Sequence, residues 1–124
     1  MNLINMRYFK IKEFDSPDLE GSGSIMDSKI LYMLDNARKK YGKSIKINSG
    51  YRTRFHNAKV GGVESSSHLK GLAVDIACSK SLDRFKLIKI LLEVGFTRIG
   101  VGNTFIHVDI DKDKSQNVIW TYKK

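Results

Sequence analysis

Ser66-Ser67-His68-Leu69-Lys70-Gly71-Leu72-Ala73-Val74-Asp75 is the stretch around which this chain is organised. It passes from a serine-rich loop into an apolar strand and sets an imidazole, His68, seven residues ahead of a carboxylate, Asp75. A second strand-like run, Thr104 to Ile110, carries His107. Two imidazoles and one carboxylate form a ligand set that zinc accepts, and three protein ligands leave a fourth position open for water. A closed structural site takes four ligands, often cysteines, and Cys78 is the one cysteine here. If the three side chains meet, the site is catalytic in type.

The strand period of two decides which side chains can meet. Ala73, Asp75 and Ala77 share one face, with Leu72, Val74 and Ile76 on the other. Phe105, His107 and Asp109 share a face, with Ile106, Val108 and Ile110 opposite as core. Taken singly, a strand histidine is more often a hydrogen-bonded surface residue than a ligand, and Asp75 could pair with any of many cations. Matched facing on two separate segments is what points to a metal. The small alanines beside Asp75 suggest a close approach, and Gly71 permits a sharp turn.

Outward from these strands, Asp27 is expected to cap a helix from Ser28 to Tyr41, with Ile30, Leu34, Ala37 and Tyr41 as its stripe and Gly42 as its stop. Residues 7–14 alternate and read as an edge strand or extended arm; Ser16 to Ser24 is a turn-rich loop. Ile45 to Ser49 reads as a strand entering the turn Gly50-Tyr51-Arg52-Thr53, followed by a short helix near 55–60. Ser81 is expected to cap a second long helix to Val94, with Phe85, Ile88, Leu91 and Leu92 inward. Gly102-Asn103 marks a hairpin between strands at 98–101 and 105–109, and Asn117 to Tyr122 reads as a last strand. Hairpin strands mixed with two amphipathic helices predict an α+β fold, a small antiparallel sheet with flanking helices.

At 124 residues, 41% hydrophobic and 28% charged, the chain is expected to be one domain spanning 1–124. One cysteine excludes an intrachain disulfide, and Cys78 reads as an inert buried thiol. No apolar run approaches the ~20 residues that span a bilayer. The first eight residues lack a basic segment followed by a long apolar one, so synthesis in the cytoplasm without a secretion signal is expected. The net charge of +9, from 22 basic against 13 acidic residues, favours a polyanionic neighbour. The cations are scattered, from Lys39-Lys40 to Lys123-Lys124, and no nucleic-acid-binding signature is present, so no nucleic-acid partner is expected.

Ser66-x-His68-x-x-Gly71-x-Ala73-x-Asp75 is similar to the Ser-x-His-x-x-Gly-x-Ala-x-Asp signature of the zinc D,D-peptidases. Ser49-Gly50-Tyr51-Arg52 resembles the Ser-Gly-Tyr-Arg element of that family, and Phe105 to Asp109 its third-ligand strand. The match is nearest to the short M15 type 3 branch, whose pattern is also similar at His56 to Gly62 and at Gln116 to Trp120. The resemblance covers about Phe9 to Trp120 and implies a hedgehog/D-Ala-D-Ala peptidase-like zinc fold. It implies Zn2+ held by His68, Asp75 and His107, a water as nucleophile, and a cut in peptidoglycan stem peptide beside a D-amino acid. The activity would be that of a D-Ala-D-Ala carboxypeptidase or of an L-alanyl-D-glutamate endolysin.

Arg52 would bind the substrate carboxylate or the developing oxyanion, roles suited to a permanent, bidentate cation. Ser66 and His56 are candidate substrate contacts, although His56 could equally serve packing. Several relatives carry an acid three residues before the last histidine ligand, where this chain has Thr104. Asp109 is the nearest alternative, either as general base or as the carboxylate that orients His107. The departure at Thr104 keeps open a second reading, a zinc-scaffold binding protein with weak or no turnover. The first reading implies a phage-type lysis enzyme that acts on the cell wall after release through a holin. A monomer without stable membrane association is expected.

Overall fold

Alternation of apolar and polar side chains on two five-residue strands builds the centre of the molecule. In a computed structural model, which describes residues 5–122, β2 (Ala73–Ala77) and β4 (Phe105–Asp109) pair antiparallel with Asp75 directly opposite His107. β1 (Ile47–Ser49) joins the outer side of β2, and β3 (Arg98–Val101) closes the hairpin with β4. β5 (Val118–Thr121) then adds to β3, giving the order β1-β2-β4-β3-β5. The hairpin turn falls where Gly102-Asn103 predicted it, with the Gly102 N–H bonded to the Phe105 carbonyl at 2.9 Å.

One face of this sheet is greasy and sealed. Val74, Ile76, Ile99, Ile106 and Val108 are buried and share a core with Ile30, Leu31, Leu34 and Ala37 of α1 (Ser28–Tyr41) and with Leu87, Ile90 and Leu91 of α3 (Ser81–Glu93). The Asp27 side chain caps α1 by accepting from the Lys29 N–H, and Gly42 ends it in the left-handed conformation at φ 79. α2 (Arg54–Lys59) is a short helix capped by Thr53, whose hydroxyl accepts from the His56 N–H.

The other face carries a single row of register partners across all five strands: Ser49, Asp75, His107, Gly100 and Trp120. Side chains directly opposite on neighbouring strands stand ~5 Å apart at Cβ. The row therefore brings Asp75 and His107 into contact without any loop having to place them. His68 comes from a 3-10 turn (Ser67–Lys70) leading into β2. Gly71 ends that turn at φ 71, where an added Cβ would also meet the Ile25 carbonyl at 2.7 Å.

The structure departs from the expectations in five places. Residues 7–14 form no strand: Ile11–Phe14 is a 3-10 turn whose Phe14, with Phe9, is buried in the core. Here burial of two aromatics outweighs the local alternation. Ser81 is the first helical residue of α3, and Lys80 holds the cap position without a capping side-chain bond. Phe85 and Leu92 of α3 point outward, because that helix is apolar on two faces and packing selects the Leu87, Ile90, Leu91 stripe. β5 runs parallel to β3, since residues 110–117 carry the chain back past the sheet end before it re-enters. Cys78 is half-buried, and burial pushes its thiol pKa up. Met1 to Ile4 and Lys123-Lys124, on which parts of the leader and charge expectations rested, lie outside the described residues.

Candidate metal centre and cleft

His68, Asp75 and His107 converge, each offering one ligand atom, with those atoms within 4.8 Å of one another. His68 Nε2 lies 3.4 Å and His107 Nδ1 2.9 Å from Asp75 Oδ1. Each imidazole is tied on its far side. His68 Nδ1 is 2.7 Å from the Gly50 carbonyl, which can only accept, so Nδ1 carries the proton and Nε2 presents a lone pair to the centre. His107 Nε2 is 2.8 Å from Asp109 Oδ2, which fixes the proton there and turns Nδ1 inward. The donor set and its tautomers fit a divalent metal of the zinc type.

The carboxylates are held as firmly. Asp75 Oδ2 accepts from the Arg52 guanidinium at 3.3 Å, which leaves Oδ1 facing the two imidazoles. Burial opposes the Asp75 charge, but bonds from His107 and His68 outweigh it and hold the carboxyl below its ordinary range. Asp109 is 1% exposed and fully engaged: Oδ1 accepts from Arg98 Nε at 2.7 Å and from the Asp111 N–H at 3.1 Å, Oδ2 from His107. Burial opposes ionisation of Asp109 too, and His107 with the Asp111 N–H and Arg98 lowers its pKa. For His107 burial works against the charged form, yet Asp109 and Asp75 raise its pKa overall.

Above this floor opens a cleft of about 410 Å³. Val60 to Val63, Ser66, Phe105, Trp120 and Tyr122 line it, with Arg52, Arg98 and Lys114 as its cations. Arg52 is the best placed of these. Its Nε reaches Ser49 Oγ at 3.1 Å, NH1 reaches Asn57 Oδ1 at 3.1 Å, and NH2 reaches Asp75. Three of the five guanidinium N–H donors are used, which leaves two for a ligand. Burial lowers the Arg52 pKa, and the Asp75 charge opposes this only in part.

Of the residues singled out from sequence, the cleft gathers Arg52, Ser66, His68, Asp75, His107 and Asp109. Ser66 is mostly buried and its hydroxyl accepts from the His68 N–H at 3.2 Å, so it shapes the turn carrying His68. His56 does not line the cleft; it sits on α2, near the charge of Asp18. Thr104 is exposed at the hairpin tip. Among the described lining residues the acidic ones are Asp75 and Asp109.

Sequence reading missed the second ring of support. Arg98, 9% exposed, pairs with Asp109 and also donates to the Ser115 carbonyl at 2.6 Å. Asp111 ties the turn bearing His68 to the end of β4: it accepts from Ser67 Oγ at 2.7 Å and from Lys70 at 3.1 Å. Asn57 holds Arg52 and, through Nδ2, the Val63 carbonyl at 2.8 Å. The readable signal for Arg98 was its strand phase, two residues before Gly100 on the site-facing side.

Burial opposes ionisation of Asp111, but the Ser67 and Lys70 bonds outweigh it and depress its pKa. Its stabilisation is therefore complete above the unfolded value of ~3.9 and is lost as pH falls through the lower folded value. Asp111→Asn is expected to cost about 1–2 kcal/mol near pH 7, with the gap to the parent closing below roughly pH 4. Urea unfolding at pH 7 and pH 3 measures this; an undiminished gap at pH 3 would contradict it.

Three side chains that could hold a metal, open to a cleft on one side, fit a hydrolase-type site. A family model described as Peptidase M15 matches residues 7–109, and the chain belongs to that family of peptidases. Peptidases of this family are generally zinc-dependent. No curated protein matches the chain.

Proposed function

We propose that the protein is a zinc-dependent peptidoglycan peptidase that hydrolyses a peptide bond beside a D-amino acid. The observation that carries this is the set of three ligand atoms whose tautomers and carboxylate orientation are fixed from outside, at the floor of an open cleft. Zinc, when bound by His68, Asp75 and His107, supplies Lewis acidity and lowers the pKa of a water toward ~7.

The chain's own residues do the rest. Arg52, with two donors free, takes the carboxylate on the carbon next to the scissile nitrogen or the charge that develops on the carbonyl oxygen. Terminal D-Ala presents such a carboxylate. So does D-Glu in a stem peptide, because the chain continues through its side chain and leaves the α-carboxylate free. Asp109 holds His107 in its inward tautomer; with both oxygens bonded it is a positioning residue rather than the general base. Ser66 orders the turn beneath His68, and His56 receives no role in the cleft.

The second reading, a zinc scaffold with little turnover, rests on Thr104 standing where several relatives have an acid. Among the described residues, no dedicated base lines the cleft besides the two bonded carboxylates. The +9 charge suits approach to an anionic wall, and no helix among the described residues is long and apolar enough to cross a membrane. Incubating zinc-loaded protein with purified peptidoglycan and with D-Ala-D-Ala-ended stem peptide, and weighing the products, tests the proposal. Free D-Ala identifies a carboxypeptidase and a new D-Glu amino terminus an endopeptidase. Zinc bound with no product would sink the enzyme reading and favour the scaffold.

A further inference from the structure

Part of the cleft wall is made of rings. Trp120 lies 5.6 Å from the His107 ring and 6.3 Å from Tyr122, and Tyr122 lies 5.2 Å from Phe105. Two glycines make room for them. A Cβ on Gly100 would meet Tyr122 and Trp120 at 2.7–2.8 Å, and one on Gly102 would overlap Phe105. Trp120 stands on β5 and Tyr122 directly follows it, the Tyr122 N–H bonded to the Val101 carbonyl at 3.3 Å. Arg98, buried at the cleft floor, stacks 4.8 Å from the Trp120 ring centre. Tyr122 is 42% exposed, and Trp120 and Phe105 are half-buried, so ring surface faces the cleft.

The residues beside either candidate bond, L-Ala, D-Glu and D-Ala, carry a methyl group or a carboxylate. None of them covers three rings. A pyranose does: its C–H face lies on an aromatic face while its hydroxyls reach polar groups lining the cleft, among them the Tyr122 hydroxyl and Lys114. We propose that Phe105, Trp120 and Tyr122 form a subsite for a sugar ring of the glycan strand. In peptidoglycan that sugar joins L-Ala through a lactyl ether. One lactyl and one L-Ala unit span roughly 7 Å at ~3.5 Å each, and the Trp120 and Tyr122 rings lie 5.6 and 6.5 Å from the ring of His107. A sugar on the wall thus sets the L-Ala–D-Glu bond over the centre, whereas the D-Ala end of the stem lies several residues away. The inference rests on the peptidoglycan reading and narrows it to an endopeptidase acting next to the glycan.

Trp120 is the one tryptophan in the chain, so its emission reports this wall alone. The experiment titrates chelator-stripped protein with N-acetylmuramoyl-L-Ala-D-Glu and with L-Ala-D-Glu, in the parent and in Tyr122→Ala. The expected result is an emission change with the sugar conjugate and binding at least ~10-fold tighter than the bare dipeptide, a ratio that falls to about 2–3 in the variant. Equal binding of both ligands, or a sugar preference unchanged in Tyr122→Ala, would overturn the subsite. The same two ligands are then offered to zinc-loaded protein. Failure to cleave either would count against the peptidase reading while leaving the binding ratio intact.

Discussion

His68→Ala is expected to leave a folded protein that no longer retains stoichiometric zinc and releases no product from peptidoglycan. The imidazole is buried, and the other acidic side chain among the described cleft residues, Asp109, is already committed to Arg98 and His107 and does not replace Nε2. Asp75 and His107 alone would remain, and two protein ligands are fewer than zinc sites use. The affinity loss should exceed the ~10–100-fold that outer hydrogen-bond partners contribute. Metal content after dialysis against a competing chelator, with circular dichroism as the check on fold, reads it directly. Full zinc occupancy in this variant would remove His68 from the centre.

The second large effect is at Asp109. Asp109→Ala removes the partner of buried Arg98 and frees His107 Nε2. An uncompensated buried charge costs about 3–5 kcal/mol, so the unfolding midpoint in urea should fall sharply. Zinc affinity should drop by about 10–100-fold, because the His107 tautomer is no longer enforced. The positioning role makes a further demand. At zinc concentrations that restore occupancy, hydrolysis should recover to a large fraction of the parent rate, and the pH profile should keep its shape. Activity absent at full zinc occupancy would make Asp109 the general base instead.

Much of the site could be read from the chain because strand pairing is a repeating geometry. Once Asp75 and His107 each sat among alternating apolar neighbours, their shared facing followed, and antiparallel pairing set them opposite one another. His68, in a loop, gave no such periodic signal; its place followed from the resemblance and from the Gly71 turn. The failures share one cause, which is that tertiary packing decides between locally equal options. α3 offers two apolar faces, and only contact with α1 and the sheet buries Leu87 and leaves Phe85 outside. Phe9 and Ile11 alternate like strand residues, yet Phe9 serves with Phe14 as a plug in the core. Strand phase marks Arg98 as site-facing, but nothing local reveals that Asp109 waits for it eleven residues on. The aromatic wall was invisible for a similar reason: it depends on β5 returning parallel to β3 and laying Trp120 over Gly100.

The central claim is that one metal, held by His68, Asp75 and His107, makes this cleft a peptidase. Adding zinc back to chelator-stripped protein while counting new amino termini released from purified peptidoglycan tests it most directly. The account predicts no release without metal and a rise that levels off at one equivalent of zinc. Release from the stripped protein, or one equivalent bound with no new amino termini, would contradict it.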